Sequence, residues 1–546
     1  MRRVTLRHRL GIAALAGVPL LVLLTFFAYP VAGMVARGFV VDGRFAPAGV
    51  LEVLARPRTG RVLWFTVWSA GLATVLTLVA GLPLAWSLHR LRFPGRALLR
   101  GLVVVPFVLP TVVVGVAFGQ LFASSGWLGF LHLAGTPVAI IAALAFFNIS
   151  VVVRTVGAFW ENLDPRREEA AAALGATPAQ VFRTVTFPGL LPGIAGAATV
   201  VFLFCSTSFG VVLTLGGLRY ANVETEIYLL TTQELDLPAA AALSLLQVLV
   251  ITALLLGAHL SRRDAPVDRA AGTTRRPRLG DGWVLAWSAL VVVGLALPLL
   301  ALVRRSLQGT GPGWTLANYR ALGTVTPALP VRAIEGLVNS VEIALVATGL
   351  ALLLGVIVAG LVSRRPAGPV GRRGVALFDG LFMLPLGVSA VTLGFGFLVT
   401  LDHPPLDLRA SPWLVPIAQA MVALPLVVRT VAPVLRSVDE RQRQAAASLG
   451  ASPVQVLLSV DLPVARRALL AATGFAFAVS LGEFGATSFL VRDATPTLPV
   501  LIYRLISHPG AANAGMAMAA SVLLATVTAA VMLAVERLRV GSTGTF

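Results

Sequence analysis

DPRREEAAAALGATPAQVFRTVTFPGLLP, running from Asp164 to Pro192, is answered 275 residues later by DERQRQAAASLGASPVQVLLSVDLP, from Asp439 to Pro463. Over 164–188 against 439–463, 13 of 25 positions are identical. Both copies carry the same local grammar. Asp164 suits a helix N-cap and Pro165 the first helical position. Ala170 to Leu174 carries a short helix, and Gly175 stands where a left-handed C′ residue would close it. Thr177–Pro178 repeats the cap-plus-proline start and launches a second short helix that Pro188 is expected to end. In the second copy Ser437 to Glu440 reads as a capping box, followed by Ala445 to Leu449, Gly450, Ser452–Pro453 and Pro463. Val181, Phe182 and Val185, like Val456, Leu457 and Val460, give the second helix an apolar stripe. Two short helices at a fixed bend make a rigid knob. An amphipathic pair lying on a membrane surface would also fit, but one knob per copy suits a two-fold partner with two matching sockets better.

The same shift extends well beyond the loop. Pro110 meets Pro385, Arg154 meets Arg429, Phe209–Gly210 meets Phe484–Gly485, and Ile227–Tyr228 meets Ile502–Tyr503. Between these landmarks lie long apolar runs. Of 546 residues, 57% are hydrophobic and only 12% charged, about half the charged share of an ordinary soluble domain. A spanning helix needs about 20 mostly apolar residues. Twelve candidates follow, at roughly 10–36, 62–88, 98–123, 137–159, 190–215, 238–260, 282–303, 337–362, 375–400, 412–433, 466–491 and 514–536. The first is read as a retained span, being long for a signal peptide and lacking a small-residue cleavage site. The sequence therefore predicts an all-α integral membrane protein of about twelve transmembrane helices in two homologous six-helix halves, a parallel duplication. The boundaries read as a first span and outer loop over 1–61, one repeat unit over 62–262 and a linker over 263–281. A seventh span and outer loop follow over 282–336, then the second unit over 337–538.

All 43 basic residues are arginines, and the formal net charge is +19. They sit in bursts between the apolar runs, such as Arg90 to Arg100, Arg262 to Arg278 and Arg436 to Arg467, and not along one face. With the N-terminus inside, the span-flanking arginines concentrate on the inner side, so the positive-inside rule places both termini and both knobs in the cytoplasm. The outer segments are poorer in arginine and hold Glu224, Glu226, Glu234 and Asp236. This basicity is topology and predicts no nucleic-acid partner. The absence of lysine excludes a phosphate-binding Walker lysine and Schiff-base chemistry. A lone Cys205 and six scattered histidines offer no metal-ligand spacing, and no catalytic constellation is visible.

The knob resembles the EAA loop of ABC-importer permeases. Glu169-Ala170-Ala171, three residues, Gly175, nine residues, then Val185 to Pro188 follow that family's spacing; Gln444-Ala445-Ala446, Gly450 and Val460 to Pro463 follow it with glutamine in place of glutamate. The resemblance implies a type I importer permease fold with two permease units fused, a transport subunit and not an enzyme. It implies that the loops couple to two copies of a separate ATP-binding subunit, which binds ATP and Mg, so that this chain needs no cofactor of its own. An extracytoplasmic solute-binding protein would deliver the solute, in the bacterial inner membrane. The fused twelve-span form is similar to thiamine and ferric-iron permeases. Ser206 to Gly217 with Glu224 to Tyr228 looks most like the thiamine type, while Ser480 to Gly485 suits either. A proton- or ion-coupled secondary transporter is the rival from another class. Glu483, in an apolar run, would either line a cation path or bridge helices, and Ser208 and Asn148 are further path candidates. Asn148 and Glu342 favour packing contacts, Gly210 and Gly485 favour close helix approach, and Cys205 reads as a small buried hydrophobe.

Overall fold

Apolar runs this long have one way of satisfying their backbone in lipid, which is to coil into helices. The computed structural model describes residues 6–41, 44–45, 47–217, 219–260, 274–309, 313–329, 331–364, 368–402 and 406–540. Most of the linker assigned to 263–281, including Arg269, and both extreme termini lie outside the described residues. Half one comprises α1 (Ala14–Phe39), α2 (Pro57–Arg90), the bent pair α3 (Arg96–Val108) and α4 (Thr111–Phe122), and α5 (Pro137–Glu161). It continues with α6 (Pro165–Ala173), α7 (Pro178–Ser206), α8 (Phe209–Gly216), α9 (Val223–Thr232) and α10 (Leu237–Leu260). Half two repeats the order: α11 (Leu279–Ser306), α12 (Ala333–Val362), the bent pair α13 (Pro369–Gly387) and α14 (Ala390–Thr400), and α15 (Leu414–Ser437). Then come α16 (Glu440–Ser448), α17 (Val454–Gly482), α18 (Thr487–Leu490), α19 (Leu498–Ser507) and α20 (Ala511–Val540). Ten of the described helices are long and apolar enough to cross a membrane, and twelve spans result when each bent pair counts as one.

Three expectations are corrected. The runs 98–123 and 375–400 are not straight spans: they fold back at breaks of 101° and 94°. Pro110 stands at the N-cap of α4, where its missing N–H costs nothing, and Ser389 caps α14 by accepting from the Thr392 amide at 3.0 Å. The spans placed at 190–215 and 466–491 start earlier and stop at Ser206 and Gly482, and their tails become α8 and α18. Pro188 does not end the second loop helix. A π-helical turn, Phe182–Thr186, widens the backbone just before it, and the helix runs on as one body from Pro178 to Ser206. Leu457–Asp461 does the same before Pro463.

Along the middle of the first long span of the repeat, small residues turn inward and large ones outward. On α2, Ala70, Ala73, Thr77 and Ala85 are buried while Trp64, Val67, Val75 and Val79 are exposed. That is the reverse of a soluble helix and the packing expected when lipid is the solvent, since close backbone contact rather than water exclusion holds such helices together. Each half's first helix lies against the other half. Phe26 of α1 packs on Phe397 of α14 at 6.3 Å, and Ser288 of α11 donates to Ser87 of α2 at 3.0 Å. A single apolar core joins Phe209, Leu213 and Ile227 of half one to Leu481, Phe484 and Ile502 of half two.

Candidate functional site

Each loop is closed by the chemistry its sequence carries. Asp164 accepts from the Arg166 amide at 2.9 Å, and Asp439 accepts from Arg441 at 2.9 Å. The second N-cap is thus Asp439 and not a Ser437–Glu440 box; the Ser437 hydroxyl instead donates to the Val434 carbonyl at 2.7 Å. Gly175 (φ +86°) and Gly450 (φ +87°) occupy the left-handed region that glycine enters without strain. There Ala176 donates to Ala171 and Ala451 to Ala446, each at 3.1 Å, completing Schellman closures. Thr177 with Gln180 and Ser452 with Gln455 then form reciprocal capping boxes at the start of α7 and its counterpart.

What the loops present differs from the expected stripe. Val181, Val185, Leu457 and Val460 are half-buried and Val456 is buried; Phe182 is exposed. Within the loops the most exposed large apolar groups are Leu174 and Leu449, each 90% exposed at the tip beside the closing glycine. Glu169 and Gln444, Ala170 and Ala445, and Pro188 and Pro463 are also exposed, while Ala171 and Ala446 are half-buried.

Behind the tips the loops are riveted to the spans by two different charge sets. In loop one Glu168 accepts twice from Arg90, both at 3.0 Å, and once from the Thr186 hydroxyl at 2.8 Å. In loop two the equivalent positions hold Arg443 and Asp461. Arg443 Nε donates to Asp461 at 2.8 Å, its Nη1 to Glu440 at 3.0 Å and its Nη2 to the Leu435 carbonyl at 2.7 Å. Arg364 reaches Asp461 at 2.9 Å. Burial works against the charge on Arg443, but the bonds to Asp461 and Glu440 outweigh it and hold the guanidinium above its ordinary value. The acid of loop one is an arginine in loop two and the threonine of loop one is an acid, yet both keep a charge-assisted joint between loop helix and span.

The second region of interest lies between the halves. Phe209 stacks on its repeat mate Phe484 at 5.1 Å, Phe209 meets Tyr228 at 5.2 Å, and Phe484 meets Tyr503 at 5.6 Å. Since Tyr228 and Tyr503 are also repeat mates, this quartet sits on the pseudo-two-fold axis. Gly210 and Gly485 let the segments approach the bent pairs: a Cβ on Gly210 would lie 2.9 Å from the Val112 nitrogen, and one on Gly485 3.1 Å from Ala390 Cβ. Ser208 and Glu483, themselves 275 residues apart, flank the quartet. Glu483 is buried, and its carboxylate accepts from the amides of Ala486 at 2.8 Å and Thr487 at 2.9 Å and from the Thr487 hydroxyl. It therefore caps its own turn. Ser208 is buried at the start of α8, and its carbonyl accepts from Asn222 at 2.8 Å. Asn148 stands apart, bonded to the Leu144 carbonyl at 2.9 Å and the Cys205 sulfur at 3.3 Å, a contact between α5 and α7. Glu342 faces outward on α12, exposed, and not into a packing contact.

The burial of one group was not foreseen from the sequence. Glu224, assigned to an outer segment, is fully buried on α9. Gln247 Nε2 donates to it at 2.5 Å and the Ser389 hydroxyl at 2.8 Å, while Thr392 donates to Gln247 Oε1 at 3.0 Å. Glu226, two residues on, pairs with Arg58 at 2.6 Å.

The sequence profile described as binding-protein-dependent transport system inner membrane component matches the chain twice, over residues 77–264 and 351–539. The thiamine transport system permease protein ThiP of Brucella abortus (strain 2308) is 28% identical over 526 residues, covering 90% of this chain and 93% of that protein. The protein of the same name from Escherichia coli (strain K12) is 29% identical over 490 residues, covering 85% and 88%. The sulfate transport system permease protein CysT of Escherichia coli (strain K12) is 37% identical over 213 residues, covering 38% of this chain and 76% of that protein. Two profile matches, two loops of one grammar and two sets of spans are the same duplication seen three ways. The chain belongs to the family of binding-protein-dependent transport system inner membrane components, as an ABC-importer permease with two permease units in one polypeptide.

Proposed function

We propose that this permease passes thiamine, delivered by an extracytoplasmic binding protein, and that its two loops dock on two copies of a separate ATP-binding subunit at the cytoplasmic face. The observation that carries the substrate is the extent of the likeness. Proteins named for thiamine transport align along nine-tenths of the chain, through both units, whereas the sulfate permease aligns over little more than a third. The docking half of the proposal is supported by the loop tips. Leu174 and Leu449 are apolar, exposed and held at rigid closures, and the side chains of Glu169 and Gln444 are exposed beside them, without a side-chain partner among the described residues.

The mechanics follow from continuity. Because α7 and α17 run from the loop into the bundle without a break, a displacement of the tip is delivered to the span as a lever. The joints Arg90–Glu168 and Arg443–Asp461 carry the rest of it to α2 and α15. Closure of the ATP-binding subunits would then bias the bundle between two states. The test is uptake of labelled thiamine into proteoliposomes holding the permease, its ATP-binding subunit and its binding protein. ATP-dependent thiamine uptake is expected; uptake of ferric ion with thiamine inert would overturn the substrate. Gly175→Pro and Gly450→Pro, which force a fixed negative φ where the chain needs about +86°, are expected to abolish ATP-driven uptake while the protein still accumulates in the membrane. Normal uptake by both would refute the docking assignment.

A further inference from the structure

Four side chains, Glu224 among them, tie the halves together with no cation among the described residues. Glu224 and Gln247 belong to half one, on α9 and α10; Ser389 and Thr392 belong to half two, at the break and first turn of the α13–α14 pair. The carboxylate accepts one bond from each half, from Gln247 and from Ser389, and among the described residues no arginine reaches it. Burying a carboxylate without a counter-charge is costly in any protein and more so inside a membrane bundle. Its neighbour Glu226 shows the ordinary solution, a guanidinium from Arg58. Glu224 lacks that solution although it is the more deeply buried of the two.

The fold as such does not demand it. At the repeat positions of Glu224 and Gln247 stand Pro499 and Val522, and at those of Ser389 and Thr392 stand Val114 and Ala117. The junction related by the repeat, between Pro499 and Val522 of half two and Val114 and Ala117 of half one, is built with apolar groups throughout. The aromatic quartet, by contrast, is kept in both halves. Tyr228 lies one helical turn beyond Glu224 on α9, so carboxylate and ring share a face of that helix.

We propose that Glu224 and the adjoining quartet of Phe209, Phe484, Tyr228 and Tyr503 are the recognition site for an aromatic organic cation in transit, closed in this conformation. With the halves together, Ser389 and Gln247 satisfy the carboxylate and the rings satisfy one another. When the halves part, Ser389 leaves with half two, the stack of Phe209 on Phe484 opens, and the site presents one negative charge beside free aromatic faces. A cation with a ring of its own satisfies both, by charge pairing and by cation–π and stacking contact. This rests on the thiamine reading above, thiamine being such a cation.

Glu224→Gln separates recognition from architecture. The amide keeps an oxygen for Gln247 and can donate to the Ser389 oxygen, whose proton then turns to Thr392, 3.0 Å away. The bonds between the halves survive and only the charge is lost. In proteoliposomes with the ATP-binding subunit and binding protein, the unaltered complex should take up labelled thiamine. Glu224→Gln should lower uptake at subsaturating thiamine by about tenfold or more, with binding-protein-stimulated ATP hydrolysis within about twofold of the unaltered complex. Ser389→Ala, which removes a bond but no charge, should keep uptake within about twofold, and Glu224→Asp should recover part of what Glu224→Gln loses. Unchanged thiamine uptake by Glu224→Gln would overturn the site while leaving thiamine as the substrate. Equal losses in Glu224→Gln and Ser389→Ala, with ATP hydrolysis falling in step, would overturn it too, making the network a latch alone. No thiamine uptake by the unaltered complex would remove the thiamine reading and the site together.

Discussion

Reversing the charge of Arg443 offers a demanding check on how the second loop is held. Glutamate at that position faces Asp461, which is 2% exposed, and Glu440, with Leu435's carbonyl left without its donor. Losing one partner of a buried ion pair costs about 3–5 kcal/mol. Two carboxylates about 4 Å apart repel by up to about 4 kcal/mol at an effective dielectric of about 20. One of them can take a proton and cap the repulsion, so the total is put at about 5 kcal/mol. For a half of this size that corresponds to a fall in unfolding midpoint of about 10 °C or more. Loop one shows how to restore the joint, since there glutamate sits at the Arg443 position and threonine at the Asp461 position, with an arginine from the preceding span as cation. Arg364 is placed to serve as that cation in loop two. Arg443→Glu with Asp461→Thr should therefore regain most of the midpoint lost by Arg443→Glu alone, and most of the ATP-driven uptake. Thermal unfolding of the detergent-purified protein, followed by tryptophan fluorescence, measures the first and proteoliposome uptake the second. A double variant as unstable as the single one would refute the equivalence of the two joints.

Truncating the tips tests docking directly. Leu174→Ala and Leu449→Ala should each weaken binding of the ATP-binding subunit by about 2 kcal/mol, about thirtyfold in Kd. Their losses should add because the loops are separate; an unchanged Kd in a titration of the purified permease would rule out apolar docking at the tips. Cys205, buried and bonded to Asn148, should resist a water-soluble maleimide in the folded protein and react after denaturation. Rapid native labelling would show that α5 and α7 part there.

Much of this could be read from the residues alone because the signals were local. Asp164, Gly175 and Thr177 each act on neighbours within a few positions, so spacing was enough to place the caps and closures. Hydropathy reports composition and not direction, which is why 98–123 and 375–400 read as straight spans although the chain turns through 101° and 94° within them. Pro110 stands at one break, but at the other Pro385 lies a few residues early, and Ser389, which caps the new helix, has a role that is invisible without its partner. Pro188 misled for a related reason: a π-turn upstream absorbs the proline that normally stops a helix. Glu224 was illegible in principle. Its partners Gln247 and Ser389 lie 23 and 165 residues away, and from its own surroundings it is one of several acids after a polar turn. The repeat, by contrast, matched Phe209 with Phe484 and Tyr228 with Tyr503 in register, but that the four rings cluster in space follows only from the fold.

The exchanged first helices carry a consequence for what moves and for how such a chain could arise. With α1 packed on α14 as well as on its own half's α10, and α11 packed on α2 as well as on its own half's α20, the first helix of each repeat is a strap laid across the other, and the repeats cannot part without moving both straps. Two unlinked copies with such straps would already have clasped each other as a dimer. A later join near 261–281 would only have tethered a pair that was interlocked beforehand, and would have freed each copy to drift, as the differing charge sets of the two loops and the one-sided Glu224 have done.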